Sequence, residues 1–447
     1  MAIIDPERSA TRVQPDVAAT VTEGPGRTRG RGKAVGAMAF ASTIDNSEGG
    51  LINTFFPMIR SAMGLDLGAL GILASLSRFS RMIFGPFWAM AADKFGRKKV
   101  LFVVTGVWGL FTVAAGLAQD FTQLLILYGI GVIGTVASEP IINGMLSDMF
   151  EDKDRGRAFG TVRSIGSLAG MAIGPAIALY ANLPDGWRYA LFTMGGMSVL
   201  SGVAILLFVK EPPRRTAIMD DPECGRFKIS DALKLFKIPT IALLAGMLPL
   251  VTSLILFAFY TTYMVDVRGW SIPGASVLMA VMSAGMGLSS FLGGLLGDLF
   301  VRRFGPKGRV ILMQIYLVAV AVTSYLALQI DWGHGFVVYV VMFLFGLVFL
   351  IGFSACELPM VSTVTPKQLS ATAFAVLFSL IQGAITALLT LALGFLAEVL
   401  GLQRVMFWLI SVPYLINAVY WFVFYKHYPR DVAKQSERTA AVEAGTF

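Results

Sequence analysis

Twelve stretches of this chain, each about 20 residues long, are apolar nearly from end to end. They fall near 36–60, 67–91, 99–119, 121–147, 158–181 and 188–209, and resume after a polar interval near 239–264, 273–297, 309–329, 335–362, 371–398 and 405–426. That is the length at which an α-helix crosses a lipid bilayer. Of 447 residues, 56% are apolar and 14% charged, and the mean hydropathy is +0.71. A soluble globule could not hide so much apolar surface. An outer-membrane barrel is excluded because its strands alternate polar and apolar residues. The 47 glycines suit closely packed membrane helices. The pattern predicts an all-α membrane protein of twelve transmembrane helices in two six-helix bundles. The first span is the least apolar, because it holds Asp45, Asn46, Ser47, Glu48 and Asn53. The charge distribution requires an even count and keeps it.

Lys and Arg fix the orientation. Of 36 such residues, 29 fall in the tails, the middle loop and the alternate loops on one side, against four on the other: Arg60, Arg188, Arg268 and Arg404. By the positive-inside rule both termini and the middle loop are cytoplasmic. The net charge of +8 therefore reports topology, and no nucleic-acid partner is expected. The predicted organisation is a disordered tail over 1–33, a first bundle over 34–210, a linker over 211–238, a second bundle over 239–426 and a tail over 427–447. The first tail lacks the apolar core of a signal peptide. In the linker, Ile229, Ala232, Leu233 and Phe236 at helical spacing predict a short amphipathic helix on the membrane surface. Cys224 and Cys356 suggest neither a disulfide nor a metal site, and no cofactor is expected. There is no Walker loop, and no nucleophile–base pair that would make an enzyme.

The two halves repeat. Ala89-Met-Ala-Ala-Asp93-Lys94-Phe95-Gly96-Arg97-Lys98-Lys99 follows the second helix; Gly294-Leu-Leu-Gly-Asp298, with Arg302-Arg303-Phe304-Gly305, follows the eighth. Arg155-Gly-Arg-Ala158-Phe159 likewise matches Ser370-Ala-Thr-Ala373-Phe374. Parallel repeats of six helices are one of the arrangements of secondary transporters. The first motif resembles the G-x-L-A-D-R-x-G-R-K of the major facilitator superfamily, matching Asp93, Gly96, Arg97 and Lys98 and departing at Ala89, Ala91 and Lys94. Asp148, Trp187-Arg188 and Glu211-Pro212 add to the resemblance. Within the superfamily the chain is similar to the spinster-like group, through Ile44-Asp45, Gly71-Ile-Leu, Pro86, Trp108, Lys210-Glu-Pro-Pro-Arg214, Thr365-Pro366 and Ala371-Thr-Ala-Phe374. It departs from that group at Tyr128 and Thr135, where Arg and Glu are usual.

The resemblance implies a twelve-helix transporter with a cytoplasmic latch. Asp93, Arg97 and Asp148 would form an ion-paired network holding the outward-facing state, with Arg155 and Asp298 in the matching loops. It also implies Asp45 as the proton-linked carboxylate, with Arg78 or Arg81 standing in for the missing arginine. Gly166, Gly170 and Gly174-Pro175 resemble an antiporter motif, and equally serve packing and a kink.

Seven ionisable residues lie inside spans: Asp45, Glu48, Arg78, Arg81, Glu139, Arg163 and Glu357. Each costs about 2.5–3.5 kcal/mol at mid-membrane on insertion scales, so they must face the interior. Depth along antiparallel helices, at 1.5 Å per residue, pairs Asp45 with Arg81 and Glu48 with Arg78. Glu139 and Arg163 form a third candidate pair; Glu357 has no evident partner, and either binds a proton or reaches for the inner surface. Neither His lies at mid-membrane, so carboxylates (Asp45, Glu48, Glu139, Glu357) are the candidates for proton coupling. Arg78, Arg81, Tyr128, Arg163 and Gln382 are the candidates for binding substrate. The second half offers aromatics instead: Phe257, Phe259, Tyr260, Tyr263, Phe345, Phe349, Phe374 and Phe378. The expectation is a monomeric, proton-coupled transporter of a bacterial inner membrane, in contact with lipids. Its substrate is either a small amphipathic molecule, lipid-like or drug-like, or a small organic anion for uptake.

Overall fold

Asp66, Asp120 and Ser271 set where three of the spans begin. Each sits in extended backbone, and each side-chain oxygen accepts an N–H three residues on, from Ala69, Gln123 and Gly274. This satisfies a donor that the first helical turn leaves free. The computed structural model describes residues 31–150, 152–211, 234–366 and 369–443. Side chains are described for all of these except residues 31, 89, 152–158, 371 and 439–443.

The first half comprises α1 (Arg31–Met63), α2 (Leu67–Phe95), α3 (Arg97–Ala115), α4 (Phe121–Met149), α5 (Phe159–Asn182) and α6 (Gly186–Phe208). The second begins with α7, two segments, Pro239–Leu250 and Ser253–Asp266, meeting at 42°. It continues through α8 (Ile272–Phe304), α9 (Lys307–Gln329), α10 (Phe336–Val364), α11 (Thr372–Leu400) and α12 (Leu402–Arg438). Ten of these are single helices long and apolar enough to cross a membrane, and α7 joins them as a bent span. The twelfth, α1, has 33 residues and turns its carboxylates inward, with Asp45 and Glu48 each 5% exposed. The predicted twelve-helix architecture is the one observed. Most of the linker's amphipathic stretch, Cys224 and nearly all of the first tail lie outside the described residues, although α1 starts at Arg31, earlier than predicted.

Both repeat copies turn on a glycine. Gly96 (φ +102°) ends α2 and Gly305 (φ +62°) ends α8, in backbone that a side chain would strain. Across the halves, α2 packs along α11, α1 against α7 and α5 against α8. The tightest of these contacts gather at the face opposite the termini. There a Cβ on Gly394 would stand 2.9 Å from the Gly71 Cα, so the two backbones touch. Beside them Glu398 accepts the N–H of Leu67, and Arg60 pairs with Asp266 at 2.7 Å. Toward the face bearing the termini, Ile83, Phe87 and Met90 of α2 are exposed.

Candidate substrate cavity and coupling site

A space of about 1130 Å³ lies between the halves. Gly50, Asn53 and Thr54 of α1 form one wall, and α5 forms a second with Arg163, Gly166, Ser167, Gly170 and Gly174. On the other side stand Phe257 and Thr261 of α7, with Ser276, Ser283, Gly287 and Ser290 of α8. The wall is mostly apolar, with hydroxyls spaced along it and, among the described residues, one charge, Arg163. The volume exceeds the ~300–1,000 Å³ of ordinary ligand pockets. A molecule with one anionic or polar end and an apolar body fits these walls. Asn53, also on this wall, has a buried carbonyl oxygen with no hydrogen-bond partner among the described residues. The serines at 276, 283 and 290 repeat every seven residues, which places them on one face of a helix. The period is legible in the sequence, where serines at helical spacing look the same as packing residues.

The buried carboxylates form a second feature. The hydroxyl of Thr112 on α3 donates to Glu48. Ser138 of α4 lies beside Asp45, and Ser198 of α6 beside Glu48. Both oxygens of Asp45 and Oε2 of Glu48 are buried, with no hydrogen-bond partner among the described residues. A void of about 10 Å³, room for about one water, adjoins Glu48 and is lined by Thr112, Tyr128 and Thr135. Tyr128 is thus beside the carboxylates and does not line the large cavity.

The ion pairs differ from those read by depth. Arg81 pairs with Glu139 at 3.7 Å, both more than half exposed (59% and 52%). Arg78 donates across the halves to the backbone carbonyl of Leu254 at 2.8 Å. Arg163 is exposed to the cavity and makes no pair with Glu139. Helical rise gives depth, and the pairing is decided by azimuth, which depth does not report. The acceptor for Arg78 lies in the 3₁₀ turn Ser253–Ile255 that opens the second segment of α7.

Glu357 is 3% exposed in a π-helical turn of α10 (Phe353–Glu357), so it is buried and does not reach for the inner surface. Gln382 is 8% exposed on α11. The aromatic expectation is largely corrected. Phe259, Tyr260, Tyr263, Phe345 and Phe349 are buried in the core of the second half. Among the eight aromatics, Phe257 is the one that lines the large cavity, packed edge-on against Phe349 at 5.4 Å.

In the loop after α2, Arg97 lies between two carboxylates as expected. Its Nε and Nη2 reach Asp93 at 3.1 and 3.0 Å, and its Nη1 reaches Asp148. A planar fork suits this bridging. Gly144 makes room for it, since a Cβ there would stand 3.1 Å from the guanidinium carbon. The start of α3 is capped by Glu211, which accepts the N–H groups of Arg97 (2.7 Å) and Lys98 (2.8 Å). Asp298 of the second copy is exposed, and Arg155 has its side chain outside the described residues. Arg309, which sequence reading passed over, donates to the Ala355 carbonyl in the π turn of α10. It joins the second copy's loop to the fourth helix of its own half, as Arg97 does in the first.

Residues 37–388 match the Major Facilitator Superfamily, and the chain belongs to this family of secondary transporters. The Hexuronate transporter of Bacillus subtilis is 26% identical over 301 residues, covering 64% of this chain and 68% of the relative. A Probable sulfoacetate transporter of Cupriavidus necator is 28% identical over 282 residues, covering 60% and 64%. The chain thus spans about two thirds of the length of each. Its fold is similar to that of a bacterial homolog of the human lysosomal transporter Spinster, solved in an inward-facing and occupied conformation. The TM-score is 0.74 at 18% identity, over 91% of this chain and 99% of that one.

Proposed function

We propose that this protein is a proton-coupled transporter of the bacterial inner membrane that moves an amphipathic small molecule by alternating access, through rocking of its two bundles. Both termini lie in the cytoplasm in this reading, so the described conformation is closed to the outside and open inward. The observation that carries the proposal is the placement of Asp45 and Glu48. They are buried carboxylates without a cationic partner, on the same helix as Asn53, which faces the cavity. Bare carboxylates at such a position are costly, and protonation relieves the cost. The protein acts as a monomer among membrane lipids. The apolar wall of the cavity, with hydroxyls and Arg163 along it, supports an amphipathic substrate.

A second reading, proton-coupled uptake of a small organic anion, is favoured by Arg163 as the one charge on the cavity wall and by the names of the two bacterial relatives. Arg163→Ala, with Arg78→Ala and Arg81→Ala alongside, separates the two in reconstituted vesicles. A charge-assisted hydrogen bond contributes about 1.5–3 kcal/mol. Anion uptake should therefore weaken about 10- to 100-fold in KM for Arg163→Ala, while a neutral or cationic amphipath is carried at nearly the native rate. Unchanged anion uptake in all three variants would remove the anion reading.

In this proposal Asp93, Arg97 and Asp148 are the first bundle's part of the cytoplasmic latch, already paired with one another in the inward-open form, with Glu211 holding the start of α3 and Arg155 and Asp298 in the matching loops. A half-exposed network of this kind is worth on the order of 1 kcal/mol. Arg97→Ala should therefore shift the balance of inward- and outward-facing states about fivefold. Cysteine accessibility on the two faces, with and without substrate, measures this; an unshifted balance argues against a latch.

A further inference from the structure

We propose that Glu357 is a second protonation site, in the second bundle, and that its proton controls the bond from Arg78 to Leu254 between the halves. The inference goes beyond the reading of Asp45 and Glu48 and does not depend on it. Glu357 ends the π turn of α10 and is 3% exposed. It lies about 10 Å from the inner end of its helix at Val364. Among the described residues its Oε2 has no hydrogen-bond partner and no cation pairs with it. A bare carboxylate is costly there, so the described form suits the protonated acid.

A row of buried hydroxyls leads from this group to the contact between the halves. Tyr316 of α9 and Tyr414 of α12 both feel the charge of Glu357, and their hydroxyls lie beside each other. Their ring centroids are 6.4 Å apart, edge to face. Tyr316 donates to the Phe349 carbonyl of α10 at 3.0 Å, and the Tyr414 hydroxyl is 2.5 Å from that of Ser253. Ser253 opens the 3₁₀ turn of α7, and the next residue, Leu254, holds the carbonyl to which Arg78 donates. With Glu357 protonated, Tyr414 stays with Ser253, the turn is held and Arg78 keeps its acceptor. When Glu357 gives its proton to water, its carboxylate becomes the strongest acceptor in reach of the row. Hydrogen bonds to an ionised group are roughly twice as strong as neutral ones. Tyr414 then turns from Ser253 to the carboxylate, and the turn that presents the Leu254 carbonyl loosens. One proton leaves, and otherwise only hydrogen bonds change. Protonation therefore favours the described form, and ionisation disfavours it.

The neighbouring elements hold no group that would neutralise the carboxylate. Beside it on α10 is Cys356, whose thiol donates to the Arg309 carbonyl at 3.2 Å. Arg309 of α9 is committed to the Ala355 carbonyl, and Tyr428 of α12 lies beside that arginine. On α8, which packs on the π turn through Gly293 and Gly297, Asp298 is exposed. The one ionisable residue of α11 is Glu398, at its outer end.

Infrared difference spectra of the protein in lipid nanodiscs, between pH 5.5 and pH 9, read the acid directly. In an Asp45→Asn/Glu48→Gln background, the carbonyl stretch of a buried protonated carboxylic acid should be lost at pH 9. Glu357→Gln, which keeps the shape of the neutral acid, should remove that band at both pH values. Single cysteines on the two faces read the conformation. In the same background the ratio of inward- to outward-facing protein should fall about fivefold from pH 5.5 to pH 9, the gain of a charge-assisted over a neutral hydrogen bond. Glu357→Gln should hold the acid ratio throughout. Tyr414→Phe should keep the infrared band and lose the pH response of labelling. A spectrum that Glu357→Gln leaves unchanged, or a band that persists at pH 9, overturns the protonation site. A full-sized fall in labelling ratio in Glu357→Gln or Tyr414→Phe overturns its link to the halves. If the background variant does not fold, the unaltered protein compared with Glu357→Gln alone decides by the same outcomes. Since the background lacks Asp45 and Glu48, failure here leaves the reading of that pair standing.

Discussion

Asp45→Asn is expected to abolish proton-driven accumulation while leaving exchange of labelled for unlabelled substrate across the membrane near its native rate. Asparagine keeps the shape of the side chain and removes its charge change. The variant can still alternate with substrate bound, because the site is permanently in a neutral form. It can no longer tie each crossing to a proton. The measurement is paired: accumulation under an imposed pH gradient, and counterflow without one, in vesicles of the same preparation. Proton movement on adding substrate should vanish with accumulation. A variant that accumulates at full strength would show that coupling resides elsewhere, with Glu357 the next carboxylate to replace. The substitution should not unfold the protein, because it removes a buried charge that has no cation beside it.

Gly394→Leu is expected to reduce transport more than tenfold by forcing apart the seal between α2 and α11. A Cβ at this position would stand 2.8 Å from the Leu67 carbonyl and 2.9 Å from the Gly71 Cα. Both are backbone, so no side chain can swing aside to absorb it. Overpacking of this kind costs about 1–3 kcal/mol, which is enough to invert a two-state balance of similar size. The wedge acts in one conformation only: it opposes the form in which α2 and α11 touch at this end. Single cysteines on the two faces read the outcome. The outer face should become more accessible to an impermeant reagent and the inner face less. Gly71→Leu, on the other helix, should act in the same sense. Native labelling on both faces would mean that the helices are free to separate here without changing state.

The comparison of sequence with structure divides along a physical line. Span count, paired halves and the repeat motifs were legible, because they depend on hydropathy and on local turn chemistry at Gly96 and Gly305. The bridge of Arg97 to Asp93 and Asp148 was legible through motif and charge. The partners of Arg78 and Arg81 were not, because depth along a helix says nothing of the direction in which a side chain leaves it. The acceptor for Arg78 is a main-chain carbonyl just past the bend in α7, and no residue type announces that. The aromatics of the second half illustrate the same limit. Phe259, Tyr260 and Phe345 have the composition of a binding surface and are core, whereas the cavity wall is built of Ser, Gly and Ala, which composition alone assigns to helix packing. Thr112 and Ser138 look like any hydroxyl in a membrane helix until α3 and α4 bring them to α1.

The bond from Arg78 to Leu254 has a consequence for how the protein tolerates change. Its acceptor belongs to the peptide backbone, so no substitution at position 254 deletes it. The side chain there can drift while the contact survives, and a survey of variants would score the position as unimportant. Sensitivity is displaced onto whatever shapes the bend in α7, including Pro249 and the short break before Ser253. A mutational map of this transporter should therefore show an intolerant arginine on one bundle facing a permissive site on the other, with the cost of disruption appearing a few residues upstream.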